Sequence, residues 1–506
     1  MSRADRIALF LSLLAILVTS LVTDRIFERL PHIEDEIAYA WQAAAVAGGR
    51  LTVPSPAAPK SFLVPFVVDY NGQRFGKYPP GWPALLGVGV FFGARALVNP
   101  LLAGLAVWLI YRLGKRVSTE TVGLLAAGLT LTSPFFLMNS GSLLSHPFGL
   151  VLSEAFALAW LDAWDEPRVN PWLPTLAAAL SLGLLALTRP LTAVAVAFPF
   201  ALHGVYLLVK GNRQTRRRLV VFGLVALGVS CLLFVWQLAV TGDPRINPYT
   251  LWWPYDKIGF GPGVGRLESG HTLYQAWINT KFSLFVGAHD LFGWAKYSWI
   301  FLPFGLAAAI RYRMGKALLL GSVIVSLLVF YLAYWIGSSL FGPRYYYEGL
   351  FSLALFSALG IAWLAGWPVS PGDTWRKYSG WQRARPLAVT ALVVLLLSVN
   401  LLVYTPMRLA AMRGLYGVRR ERLEPFLRPE AKEMTPALVV VHPIDWVEYG
   451  TLLELQDTRL SSPFIFIISR SPDTDADVAA QFPERQVIYY YPAEPYTFYL
   501  EPRSSH

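Results

Sequence analysis

Long apolar runs separated by short bursts of Lys and Arg recur from the N-terminus to about residue 406, and no other feature of the chain limits its fold so tightly. The hydrocarbon core of a bilayer is roughly 30 Å thick, so about 20 consecutive apolar residues suffice to cross it. Only helices and closed barrels satisfy their own backbone there, and runs of this length read as helices. Composition agrees: 55% of the 506 residues are hydrophobic and only 15% charged, against roughly 25% charged in soluble domains. The expected fold is therefore an α-helical polytopic membrane protein. The net charge of +11 sits in the short bursts. That pattern fits positive-inside topology and anionic headgroups better than nucleic acid. The single cysteine, Cys231, lies inside an apolar run and allows no intrachain disulfide. Arg3 and Arg6 precede the first run and "VTDRIFERL" follows it without a small-residue cleavage site, which reads as an uncleaved signal anchor.

Candidate spans fall at about 7–22, 98–112, 119–138, 147–164, 172–188, 190–209, 219–240, 297–311, 317–336, 349–367 and 387–406. With Arg3 and Arg6 inside, eleven spans put all four basic loops inside: "YRLGKR" (111–116), "KGNRQTRRR" (210–218), "RYRMGK" (311–316) and "WRKYSGWQRARP" (375–386). A crossing at 78–97 would turn most of them outward, so that piece reads as an interfacial or re-entrant helix. The outer face then receives 23–97, "NSGSLLSHP", Arg189, the loop 241–296, "GSSLFGPRYYYEG" and the tail. The expected division is a transmembrane module over 1–406 and an external domain over 407–506. In the latter, "ALVVVHP", "FIFIIS", "QVIYYYP" and "TFYLEP" read as strands of a small α/β-like unit.

Chemistry, on this topology, faces outward. In "IEDEIAYAWQAAAVAGG" the spacing predicts a helix that stops at Gly-Gly, with Asp35 and Tyr39 one turn apart and Glu36 turned away by roughly 100°. Asp35 in a partly dry cavity would have a raised pKa and could accept a proton from a hydroxyl. The plainer alternative is three solvated acids on a helix N-terminus, and Glu34 is expected to be only solvated. "GQRFGKYPPGWP" delivers Lys77 among aromatics, either as a lipid-phosphate ligand or as a snorkelling lysine. Arg189 and Arg344 sit at outward ends, where positive-inside statistics would not place them. They fit either bidentate phosphate binding or ion pairs between loops. His146 could ligate a metal, carry protons or merely cap a helix, and Glu154 should face the bundle interior and find a partner. "GFGPGVG" lacks the strand–helix context of a nucleotide loop and reads as lid-like.

Together these elements resemble the GT-C superfamily of membrane glycosyltransferases, in particular the branch of the bacterial protein O-mannosyltransferases and the lipid A aminoarabinose transferase. The resemblance rests on Asp35, Glu36 and Tyr39 in "EDEIAY", on "KYPPG" (Lys77 to Gly81, with Tyr78 inserted) and on Gly342 to Tyr345. It covers roughly residues 1–370. It implies inverting transfer of a sugar from a polyprenyl-phosphate donor to a lipid, glycan or protein hydroxyl at the outer (periplasmic) face. Asp35 would be the catalytic base with Glu36 beside it. Lys77, Arg189, Arg344 and Tyr345 would hold the donor phosphate, and Tyr39 and His146 would position substrate. Relatives often carry a second acid where this chain has Ser145, His146 and Pro147. That departure leaves a divalent cation on Asp35 and His146 open, and no other cofactor is implied. Other readings are a lipid-linked-sugar flippase, a non-catalytic scaffold whose external domain binds partners, and an oligosaccharide polymerase or ligase, which shares the outward arginines. A lipid-linked-sugar flippase should line the mid-membrane with polar groups, whereas an oligosaccharide polymerase or ligase would take a pyrophosphate donor.

Overall fold

A computed structural model describes residues 1–164, 170–370, 372–373 and 383–503. The expected basic loop 375–386 falls largely outside them. The chain opens with α1 (Arg3–Arg25), then α2 (Glu34–Ala47), which ends at Gly48 and Gly49. Short strands β1 (Val53–Pro54), β2 (Val67–Tyr70) and β3 (Gln73–Gly76) form an antiparallel sheet of order β1-β3-β2. The next helix, α3 (Gly81–Phe91), has 11 residues, too few to cross a bilayer.

The bundle continues through α4 (Val98–Val117), α5 (Glu120–Leu131), α6 (Pro134–Gly141), α7 (His146–Trp164), α8 (Trp172–Thr188), α9 (Pro190–Lys210) and α10 (Arg213–Thr241). After the short α11 (Pro248–Trp252) come α12 (Leu273–Asp290), α13 (Leu302–Arg311), α14 (Gly315–Tyr331), α15 (Leu350–Ala365), α16 (Ala384–Val399) and α17 (Thr405–Met412). Among the described residues six helices are long and apolar enough to cross a membrane, or seven if one bent pair is a single span. That pair corrects an expectation: the run 119–138 is not one straight helix but α5 and α6, bent by 61°. Pro134 has no N–H to continue the ladder, and the Ser133 hydroxyl caps the new helix at Phe136 N–H (3.2 Å). A second correction is α12, an 18-residue helix inside the expected loop 241–296. Leu273, Tyr274, Trp277, Phe282 and Phe285 on it are exposed, as on a helix lying in a membrane interface.

In the tail, α18 (Glu424–Leu427) and α19 (Pro429–Glu433) precede strand β4 (Ala437–Val441). Next come α20 (Trp446–Leu452), β5 (Phe464–Ile468), α21 (Pro472–Ala479), β6 (Gln486–Tyr490) and β7 (Phe498–Tyr499). The sheet order is β5-β4-β6-β7, with β4 parallel to both β5 and β6. All five residues of β4 are buried, as a parallel strand covered on both faces requires. This sheet rests on the segment around α2. Ser61 C=O accepts from Ile468 N–H (2.8 Å), Arg95 pairs with Glu454 (2.6 Å), and Ile37 packs with Trp446.

Candidate active site

One cavity of about 610 Å³ opens where α2, the β3–α3 connection, the α8–α9 junction, the loop after α10 and the segment after α14 meet. Glu34, Asp35, Tyr39, Lys77, His146, Arg189, Arg344 and Tyr345 all line it, so residues spread over more than three hundred positions converge. Glu36 does not.

Local structure explains the placement. Asp35 and Tyr39 project from the first turns of α2 on the same face, and Tyr39 donates to or accepts from the Ser145 hydroxyl (3.2 Å). Lys77 lies just before Pro79 and Pro80, which set up the turn into α3. At Gly81 a Cβ would come within 2.4 Å of the Thr188 hydroxyl. Only glycine lets this turn press against the end of α8, beside Arg189. Arg189 itself is the hinge between α8 and α9, at φ −147° and ψ 83°. Pro190 following it disfavours the helical region there, so the chain turns at the arginine.

Of the cations lining the cavity, Lys77, Arg189 and Arg344 each have a carboxylate partner. Lys77 Nζ lies 3.3 Å from Asp256, with side chains 4% and 2% exposed. It also sits 3.7 Å above the Phe66 ring and 4.7 Å from that of Trp253. Burial pulls its amino group below the usual lysine value, with Asp256 and Asp35 opposing. Arg189 Nε lies 2.9 Å from Glu348, which is fully buried. The other guanidinium nitrogens of Arg189 reach Ser145 (3.3 Å) and the Tyr331 hydroxyl (3.2 Å). A Cβ on Gly149 would lie 2.4 Å from Glu348, so α7 leaves that carboxylate its room. Arg344 reaches Asp35 Oδ2 at 3.4 Å, while the Tyr78 hydroxyl donates to Asp35 Oδ1 at 2.6 Å.

Three expectations change. Burial works against the Asp35 charge, but Arg344, the Tyr78 hydroxyl and Lys77 outweigh it. The carboxyl is therefore held below the usual aspartate range, not raised, and a base at this position is ionised at neutral pH. Glu34, expected to be merely solvated, faces the cavity half-buried, and burial raises its carboxyl. Glu36 is fully buried behind α2, where it accepts backbone N–H groups of Leu143 (2.7 Å), His32 (2.9 Å) and Ile33 (3.2 Å). Burial pushes its carboxyl up to about 7 against those three bonds. It locks the start of α2 to the α6–α7 turn and is spent on backbone. Helical spacing alone could not show that Leu143 lies on that side.

The metal expectation does not fit these residues. Both Asp35 oxygens are engaged, and the Arg189 guanidinium stands 3.5 Å from His146 Nε2, where a cation would have to bind. Among the described residues no three His, Cys, Asp or Glu side chains converge. His146 instead faces Glu348, 3.6 Å from Nδ1. Glu154 is buried in α7, and its carboxyl has no hydrogen-bond partner among the described residues.

The sequence alone does not mark Asp256 and Glu348 as site residues, nor the aromatics Tyr78, Tyr249, Trp253, Tyr334 and Trp335 that line the cavity. Asp256 also accepts from Trp335 Nε1 (3.0 Å) and the Tyr334 hydroxyl (3.4 Å). The loop that carries it is pinned by the Gly259 N–H to Ala333 C=O bond (2.8 Å) and the Gly261–His271 bridge. The available signal was "WWPYDKIG", an acid–base pair inside an aromatic run.

Residues 84–236 match the family model described as dolichyl-phosphate-mannose-protein mannosyltransferase. No curated protein matches the chain by sequence. Among solved structures, ArnT from Cupriavidus metallidurans bound to undecaprenyl phosphate superposes with a TM-score of 0.60 at 15% identity, over 95% of this chain and 89% of that one. The Archaeoglobus fulgidus oligosaccharyltransferase in complex with Zn and sulfate gives 0.52 at 14% identity, over 95% and 67%. The mycobacterial arabinofuranosyltransferase AftD gives 0.51 at 15% identity, over 96% of this chain and 33% of that one. The chain has the GT-C fold, and its resemblance to the protein O-mannosyltransferase and ArnT-like branch is borne out.

Proposed function

We propose that this chain is an inverting glycosyltransferase that moves a sugar from a polyprenyl-phosphate donor to an acceptor hydroxyl at the outer, periplasmic face of the membrane. The observation that carries the reading is a single cavity holding the Asp35 carboxylate together with Lys77, Arg189 and Arg344. The bound undecaprenyl phosphate named for the Cupriavidus structure supports a polyprenyl phosphate as donor carrier.

In this mechanism Asp35 takes the proton of the acceptor hydroxyl as its oxygen attacks the anomeric carbon. The bond from that carbon to the phosphate oxygen breaks on the opposite face, and the electron pair stays with the phosphate. Charge grows there during the reaction, so cations that meet it contribute more in the transition state than in the ground state. Lys77, Arg189 and Arg344 fill that role, with Tyr345 beside them. Tyr39 and His146 shape the acceptor side, and Glu36 is a positioning residue that fixes α2. A phosphate-activated donor needs no nucleotide site. Eleven spans, an outward cavity and an external α/β-like domain from about residue 407 complete the reading, with a lipid, glycan or protein as acceptor.

Asp35→Asn is the direct test. Transfer should fall by about a thousandfold or more, as expected when a general base and its geometry are lost. Folding and donor binding should persist. Transfer at the wild-type rate would overturn the assignment of the base.

A further inference from the structure

The three cations differ in what holds them. Lys77 is paired with Asp256 (3.3 Å) and Arg189 with Glu348 (2.9 Å), carboxylates with no part in the proposed chemistry. Arg344 is paired at 3.4 Å with Asp35, the group that takes the acceptor's proton. No second carboxylate lies within ion-pair distance of Arg344 among the described residues. Both side chains remain accessible from the cavity, Arg344 15% and Asp35 23% exposed. The other Asp35 oxygen is held by the Tyr78 hydroxyl at 2.6 Å, so the carboxylate keeps its orientation without the arginine.

We propose that Arg344 changes partner during the reaction, passing from Asp35 to the leaving phosphate, and so couples the base to the leaving group. This inference rests on the glycosyltransferase reading. The balance is simple. The proton leaves the acceptor oxygen for Asp35, and that oxygen bonds to the anomeric carbon. The carbon–oxygen bond to the phosphate breaks and its electron pair remains on the phosphate. One negative charge thus disappears from Asp35 as one appears on the phosphate, which goes from diester to monoester. A guanidinium lying between them loses one anion and gains the other with no net change of charge. In the resting cavity the same pair would weaken the hold on a phosphate, because Arg344 is occupied. That restraint favours release of the spent carrier once Asp35 has returned its proton to water.

The test is a double-mutant cycle on the full-length protein in detergent or lipid nanodiscs. Binding of sugar-free polyprenyl phosphate is read by calorimetry or by quenching of the tryptophans. Asp35→Asn imitates the neutral base and should bind the phosphate more tightly than wild type, by about tenfold, the scale of one released charge contact. Arg344→Gln should weaken binding, and in the double variant the gain from Asp35→Asn should vanish. A gain that survives without Arg344 would mean simple repulsion between Asp35 and phosphate, and would overturn the exchange. So would an Asp35→Asn protein that binds no more tightly than wild type. Should Arg344→Gln fail to fold, Arg344→Lys serves in the same cycle, since a lysine cannot reproduce the guanidinium fork and should retain only part of the gain. An inactive Asp35→Asn protein with unchanged phosphate affinity overturns the exchange alone, whereas an active one overturns the base itself.

Discussion

Two groups of ion pairs in this molecule look alike on paper and differ in surroundings. At the start of α1, Lys115 joins Asp5 and Glu120, each at 2.8 Å, with side chains 35%, 17% and 42% exposed. In the cavity, Lys77 and Asp256 are 4% and 2% exposed, and Glu348 opposite Arg189 is fully buried. Exposed pairs cost little to hold and contribute little. Buried ones carry a desolvation penalty that their mutual attraction only partly offsets. A chain that brings Lys77, Arg189 and Arg344 together in one cavity, Lys77 buried with its partner, has a use for them beyond stability, and binding a phosphate is the use their chemistry suits.

Breaking the buried group should have the largest effect. On the proposed mechanism Lys77→Met removes a cation from the leaving phosphate and should lower transfer by about 100- to 1000-fold. It also strands Asp256, at a cost of about 3–5 kcal/mol of stability. Pairing it with Asp256→Leu should restore the unfolding temperature and leave transfer lost. A double variant that recovers transfer would reduce Lys77 to a structural strut. Glu36→Gln comes next: three backbone N–H groups lose their carboxylate, and stability should fall by about 1–3 kcal/mol. Transfer should drop through misplacement of α2 while donor affinity holds, a split visible as kcat against KM. Lys115→Met, in the exposed group, should leave transfer within about twofold of wild type. A larger loss there would erase the distinction between the two groups.

The same contrast decides what could be read from sequence. Apolar runs are local, so helices lie where hydropathy places them, apart from the break at Pro134 and α12, whose Gln275, Asn279 and Lys281 interrupt the apolar run in the sequence. Asp35, Lys77, Arg189 and Arg344 were legible because each is a charge where a membrane protein should not keep one. Their partners were not, because pairing is a tertiary fact. Asp256 sits in a Gly- and Pro-rich loop without period, and Glu348 follows three tyrosines that resemble an interfacial belt. Helical spacing correctly set Glu36 apart from Asp35. It could not reveal that Glu36 would meet the backbone of Leu143 and Glu34 would meet the cavity.

The most direct measurement is incubation of the purified protein with polyprenyl-phosphate sugars and membrane acceptors, followed by mass spectrometry and assignment of the anomeric configuration. Release of polyprenyl phosphate with formation of a glycoside of inverted configuration is the expected result. Passage of the intact lipid-linked sugar across a vesicle membrane, with no release of its carrier, would contradict it.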